Sequence, residues 1–262
     1  MNLTSLKLEE LVDNKSLLYD FVEFFFGFRL YNYQLRFINE CLKYNRVNGL
    51  WARQSGKSQA VAVFIIIISM LSKKDILIAA PTDAQAKLLY DKVIELAYSR
   101  PELRSFVKRS IKEKTDFITG STVVMITVGD TGSTKRGYTC DILIEEEAQS
   151  IKDTIHNTVL MPFIASKKDE GKVIKIGTPS KRNHFYESCY NSSDYQTVVV
   201  KWEEVVKAGQ YSLSFIEEQK KSIPEIEFNA EYCAMFIDDV NAYFPIKLLE
   251  SCMLDYKTID II

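Results

Sequence analysis

The chain has 262 residues, 47% of them hydrophobic and 26% charged, which suffices for a sizeable core in one large or two small domains and excludes general disorder. Its 33 Lys and Arg against 35 Asp and Glu leave a net charge of -2, so it does not bind nucleic acid by bulk charge; any such contact is local, shared among copies or made by another part. Five cysteines, Cys41, Cys140, Cys189, Cys233 and Cys252, form no CxxC pair, which argues against a disulfide scaffold or a zinc site and for a reducing compartment, and the opening MNLTSLKLEE is no signal peptide.

Residues 6–26 read as one aromatic-rich helix, whose Phe cluster suits packing, and 33–44 as an amphipathic helix. A short strand over 47–52 leads through a small polar turn into a helix over 57–72. The apolar run 60–71 is too short for a bilayer, which takes about 20 residues, and reads as a buried core helix. Then come a compact strand, DILIAA, over 75–80, a helix over 83–99, and a hairpin of 115–118 with 122–127 about Gly120 and Ser121. Strands follow at 141–144, 173–176 and 196–202. Short apolar strands between helices predict an α/β fold with a mostly parallel sheet covered on both faces. After Trp202 the texture turns helical and charged, so a core over 1–202 and a helical lid over 203–262 are expected, with 1–30 packing on either; the alternative is that these are the last helices of one domain.

Between the first strand and the apolar helix lies Arg53-Gln54-Ser55-Gly56-Lys57-Ser58, which carries the GK[ST] ending of a phosphate loop. Its backbone N–H groups and the helix start would cradle phosphate oxygens, Lys57 would reach the β and γ phosphates, and the Ser58 hydroxyl would ligate Mg²⁺. Trp51 stands where the standard pattern has its first glycine. Downstream, the strand over 141–144 runs into Glu145-Glu146-Glu147. ATP hydrolysis needs one carboxylate for Mg²⁺ and another to orient water. Glu145 is assigned to the metal and Glu146 to the water, with Glu147 as the base if the register is off by one. Thr178 ends another buried strand, where its hydroxyl can sense the γ-phosphate. His156 and His184 lie far apart in the sequence and read as solvent or hydrogen-bonding residues. Lys167-Lys168, Lys181-Arg182 and Lys220-Lys221 read as solvated surface pairs rather than phosphate contacts.

Together these residues resemble the ATPase domain of the large terminase subunit of tailed bacteriophages. Arg53 to Ser58 fits the family's RQ-x-GKS loop, and Tyr33-Gln34 resembles its upstream Gln motif, which reads adenine. Pro81-Thr82 with Gln85-Ala86, Thr178-Pro179 followed by Asn183-His184-Phe185-Tyr186, and Glu231-Tyr232 with Tyr243-Phe244-Pro245 resemble further family segments. The likeness spans roughly residues 30 to 250. It departs from the family at Glu145, which takes the usual Asp place, and in the lack of an RNase-H-like nuclease part before Ile262.

The resemblance implies an additional-strand, RecA-like P-loop ATPase with a small helical lid, and a cytoplasmic motor of the infected bacterium. That motor would use ATP and Mg²⁺ to drive double-stranded viral DNA into a procapsid. It implies Gln34 and residues 53–58 as nucleotide contacts, Thr178 as the coupling residue, Arg53 as an arginine finger in cis and Arg136 as one in trans. The implied partners are DNA, a portal protein, a small terminase subunit and further copies in a ring, with a monomer as the isolated form and no membrane. The alternatives are a helicase-like translocase, which needs a second motor domain, and a non-catalytic nucleotide-binding assembly module.

Overall fold

The computed structural model describes residues 6–129 and 137–237. The amino-terminal helix breaks in two, α1 (Leu8–Leu11) and α2 (Lys15–Phe26). Asp13 adopts a left-handed φ of 59°, and the Asn14 side chain caps the second helix by accepting from the Leu17 N–H at 3.1 Å. A Gly27 in the left-handed region ends it. Then follow α3 (Asn32–Lys43), β1 (Arg46–Trp51), α4 (Lys57–Leu71), β2 (Asp75–Ala80), α5 (Asp83–Tyr98) and α6 (Pro101–Arg104).

Three further strands, β3 (Val107–Ile111), β4 (Lys114–Phe117) and β5 (Thr122–Thr127), form an antiparallel meander. The sequence reading gives β3 no element, because as an edge strand it buries Val107 and leaves Lys108 and Arg109 exposed, with no apolar alternation to see. After β6 (Ile142–Glu146) the chain makes short turns: a 3₁₀ turn at Ala148–Ser150, α7 (Asp153–Ile155), a π turn at His156–Leu160 and a 3₁₀ stretch over Met161–Glu170. β7 (Lys172–Gly177), α8 (His184–Tyr190), β8 (Gln196–Val200), α9 (Trp202–Lys207), α10 (Leu213–Ser222) and α11 (Glu225–Glu231) complete the described chain.

The eight strands lie in the order β3-β4-β5-β2-β6-β7-β1-β8, with β5 through β8 of that row all parallel. β7 separates β1 from β6, so a strand is interposed between the one that opens into Gly56-Lys57-Ser58 and the one that ends in carboxylates. This is the α/β sheet expected of an additional-strand, RecA-like fold.

One face buries Ile76, Ile78, Ile142, Ile144, Ile174 and Ile176 against α4, whose residues Ala60 to Met70 are buried throughout between the sheet, α3 and α5. That explains why α4 is apolar on all sides rather than amphipathic. The other face buries Leu77, Ala79, Leu143 and Val173 under Ile155, Val159, Leu160 and Phe163. Val205, Tyr211, Ile216, Phe228 and Tyr232 of the carboxy-terminal helical segment belong to the first of these cores. α2 packs on α3 and, through Phe25 and Phe106, beside α6. No described helix is long and apolar enough to cross a membrane.

Candidate functional site

The carboxyl ends of the parallel strands converge on a cavity of about 650 Å³ lined by Arg53, Gln54, Gly56, Lys57, Ser58, Gln85, Lys92, Glu147, Gln149, Thr178, Gln210 and Glu231. Open α/β sheets bind ligands along this edge. Its floor is the turn between β1 and α4. Gln54 (φ 54°) and Gly56 (φ 82°) are left-handed there, and such residues at a helix start turn backbone N–H groups into an anion cradle. Only glycine suits the second position, since a Cβ on Gly56 would also come 2.6 Å from Gln34 Nε2.

The turn is braced from outside. Tyr33 Oη donates to the Ser55 carbonyl at 3.0 Å, and Gln34 Nε2 donates to the Gly56 carbonyl at 3.0 Å. Gln34 Oε1 accepts from the Tyr31 N–H at 2.9 Å, so both ends of this buried amide are engaged by backbone. Gln34 thus braces the phosphate turn, and one N–H and one lone pair of its amide remain beyond these two bonds. Ser55 is fully buried, its hydroxyl donating to the Ala52 carbonyl at 2.6 Å. From the carboxy-terminal segment, Glu231 accepts from the Arg53 N–H through its carbonyl at 2.7 Å, Tyr211 Oη donates to the Arg53 carbonyl, and Gln210 Nε2 donates to the Gln54 carbonyl at 3.4 Å. The sequence reading misses Gln210 and Tyr211, which lie more than 150 positions from the loop they hold and carry no local pattern.

Lys57 Nζ lies 3.0 Å from Thr178 Oγ1 and 3.2 Å from the Ala52 carbonyl. Burial lowers its proton affinity, opposed by Glu147, Glu146 and Glu231. Ser58 Oγ donates to Glu146 Oε1 at 3.2 Å. Burial, and then the Glu147 charge, push the Glu146 carboxyl up to about 7. Glu146 Oε2 is buried with no hydrogen-bond partner. A hydroxyl beside a carboxylate with a free oxygen is a hard-oxygen donor pair suited to Mg²⁺. Glu147 stands in the left-handed region (φ 53°), a strained conformation for a side chain of this size, and accepts from Gln149 Nε2.

The assignment of Glu145 to the metal is corrected. β6 runs on through Glu145 and Glu146, so the two carboxylates alternate between faces instead of following the strand as a run. Glu146 shares the Ile144 face with α4, whereas Glu145 shares the Leu143 face and is wholly buried there. His156 Nδ1 lies 2.8 Å from its Oε1. Burial opposes ionisation, but the His156 hydrogen bond and the charges of His156, Lys175 and His184 hold the Glu145 carboxyl below its ordinary range. His156 and His184, read as separate residues, stack with ring centroids 4.0 Å apart.

Arg53 Nη1 lies 3.4 Å from Glu231 Oε2, and its side chain is 62% exposed at the cavity rim. Arg136 and the Tyr243-Phe244-Pro245 segment lie outside the described residues.

A family model described as terminase large subunit, T4-like-virus type, N-terminal, matches residues 48–251. No curated protein matches the chain. Among solved structures, the large terminase ATPase domain of Thermus phage P74-26 superposes with a TM-score of 0.69 at 21% identity, over 83% of this chain and 98% of that one. The large terminase of bacteriophage HK97 gives 0.68 at 13% identity, over 85% of this chain and 55% of that one. The large terminase of a thermophilic bacteriophage, solved in complex with ADP, gives 0.64 at 11%, over 80% and 54%.

Proposed function

Because the chain belongs to the terminase large subunit family, T4-like-virus type, N-terminal, we propose that it hydrolyses ATP to ADP and phosphate to drive double-stranded viral DNA into a procapsid. The observation that carries the catalytic part is the Ser58–Glu146 contact at 3.2 Å beside the Lys57–Thr178 contact at 3.0 Å, with Glu147 on the cavity wall.

Lys57 and the backbone of residues 53–58 hold the phosphates. Ser58 and Glu146 hold Mg²⁺, which when bound neutralises charge on the β and γ oxygens. Glu147, positioned by Gln149, orients the attacking water and accepts its proton. Thr178, bonded to Lys57, lies where loss of the γ-phosphate is felt at the end of β7. Arg53 and Arg136 are the cations offered to the transition state. The work is done in the host cytoplasm by a ring of copies on a portal protein, with a small terminase subunit supplying DNA.

Phosphate release and nucleotide binding test this division. Glu147→Gln is expected to bind ATP as the wild type does and to lose turnover by about 10²–10⁴-fold. Glu146→Gln is expected to lose the Mg²⁺-dependent part of nucleotide affinity. Wild-type turnover in Glu147→Gln would sink the assignment.

A further inference from the structure

The face of the sheet away from the nucleotide cavity carries a polar cluster that ATP chemistry does not use. Glu145 of β6, His156 at the start of the π turn and His184 at the start of α8 place donor atoms within 4.8 Å of one another, and all three residues are buried. Glu145 Oε1 lies 2.8 Å from His156 Nδ1, and Glu145 Oε2 lies 3.7 Å from His184 Nδ1. Glu145 Oε2 and both ring nitrogens of His184 have no hydrogen-bond partner. A buried polar atom left so has lost its water without a replacement, which costs stability. Leu143, Val173 and Ile155 supply the apolar packing on this face of the sheet.

Neighbouring groups fix the cluster. Asp153 Oδ1 accepts from the His184 N–H at 2.7 Å. Lys175 Nζ donates to the His184 carbonyl at 3.2 Å and lies 4.8 Å over the Tyr195 ring.

We propose that Glu145, His156 and His184 bind one divalent transition-metal ion of the zinc class. Two imidazoles and a carboxylate are a three-ligand zinc donor set, with bonds of about 2.0–2.2 Å, so donors around one tetrahedral ion stand about 3.3–3.6 Å apart. The Oε1–His156 and Oε2–His184 separations are 2.8 and 3.7 Å, and the donor atoms of the three residues lie within 4.8 Å, so small side-chain shifts bring them to that spacing. The imidazole planes are 8° from parallel, and a ring lone pair lies in its own plane, so one ring tilts when both bind the same ion. Cysteine-ligand spacing is absent from the sequence, but these donors are imidazole and carboxylate. Mg²⁺ prefers oxygen ligands, so the two faces of β6 select different cations. The ion ties together β6, the turns after it and α8, the segments that carry Glu146 and follow Thr178.

The full chain, stripped with chelator and free of nucleotide, is titrated with cobalt(II) and zinc chloride. We expect one ion per chain by elemental analysis, tetrahedral cobalt(II) bands without thiolate charge transfer, displacement by zinc but not by Mg²⁺, and a higher Tm with zinc. Glu145→Gln, His156→Phe and His184→Phe, checked for folding by circular dichroism, are each expected to weaken binding at least about tenfold. No binding by the wild type, thiolate bands, or unchanged affinity in the folded variants overturns the proposal. Should the variants unfold, X-ray absorption of the wild-type zinc form decides: two imidazoles with no sulfur sustain the site, and any other shell overturns it. The outcome is independent of ATP turnover.

Discussion

Gln34 shows how a residue that matches a motif can also serve the backbone. Its amide is held at both ends, to the Gly56 carbonyl and the Tyr31 N–H, so it braces the phosphate turn. Gln34→Ala is expected to lower stability by about 1 kcal/mol, because two part-buried backbone groups lose partners. It should weaken ATP and GTP binding by the same factor. Calorimetric titration with both nucleotides checks this; a loss confined to ATP would restore the base-reading role. At this scale the sequence made Lys57 and Ser58 legible, because Gly56-Lys57-Ser58 is contiguous and precedes an apolar helix. The three glutamates were legible as a group and not individually. Ending the strand at residue 144 leaves all three on a loop, whereas ending it at Glu146 sends neighbours to opposite faces and moves each role one residue along.

Among the elements, all six residues of β7 are buried, two of them lysines. Lys172 Nζ donates to the Tyr44 carbonyl, and burial lowers its pKa from 10.5 to about 8. At pH 7 both folded and unfolded chains hold this proton, and the folded chain carries the full cost of the buried charge. Between pH 8 and 10.5 the unfolded state binds more protons than the folded one, so this group makes stability rise with pH. The rise is on the order of 2–3 kcal/mol. Lys172→Met is expected to remove that part of the slope and to be more stable at pH 7 by roughly 1–2 kcal/mol, after the lost bond to Tyr44 is subtracted. Urea denaturation at pH 7 and pH 10 measures both; equal slopes in the two proteins would refute the assignment. Elements with a strong period or a continuous apolar run, such as DILIAA in β2 and the whole of α4, were legible. β3 was not, because edge position removes the pattern, and neither was the break at Asp13, which depends on the Asn39 side chain accepting from the Asp13 N–H at 3.0 Å.

Across the whole molecule, the last described strand ends at Val200, and the helices beyond it enter the main core through Val205, Ile216 and Phe228. The loop between α9 and α10, through Gln210 and Tyr211, and the end of α11, through Glu231, hold the phosphate turn. Tyr211→Phe, which deletes only the hydroxyl bonded to the Arg53 carbonyl, is expected to lower stability by about 1 kcal/mol. Amide hydrogen exchange over residues 53–56 should quicken in that variant, and unchanged exchange there would show that the lid holds the loop by other means. Such long-range holding leaves no trace in local sequence, which is why the phosphate turn was visible and its supports were not.

The two ends of the sheet bear on how copies can meet. At one end β3 is short, shifts register between Val107 and Arg109, and exposes Lys108 and Arg109. At the other end Arg36 Nη2 donates to the outward Val199 carbonyl of β8 at 3.0 Å. A bulge, like charges and a blocked acceptor all discourage strand-to-strand addition. Copies of this chain would therefore not join by extending the sheet, which also guards the fold against fibril growth.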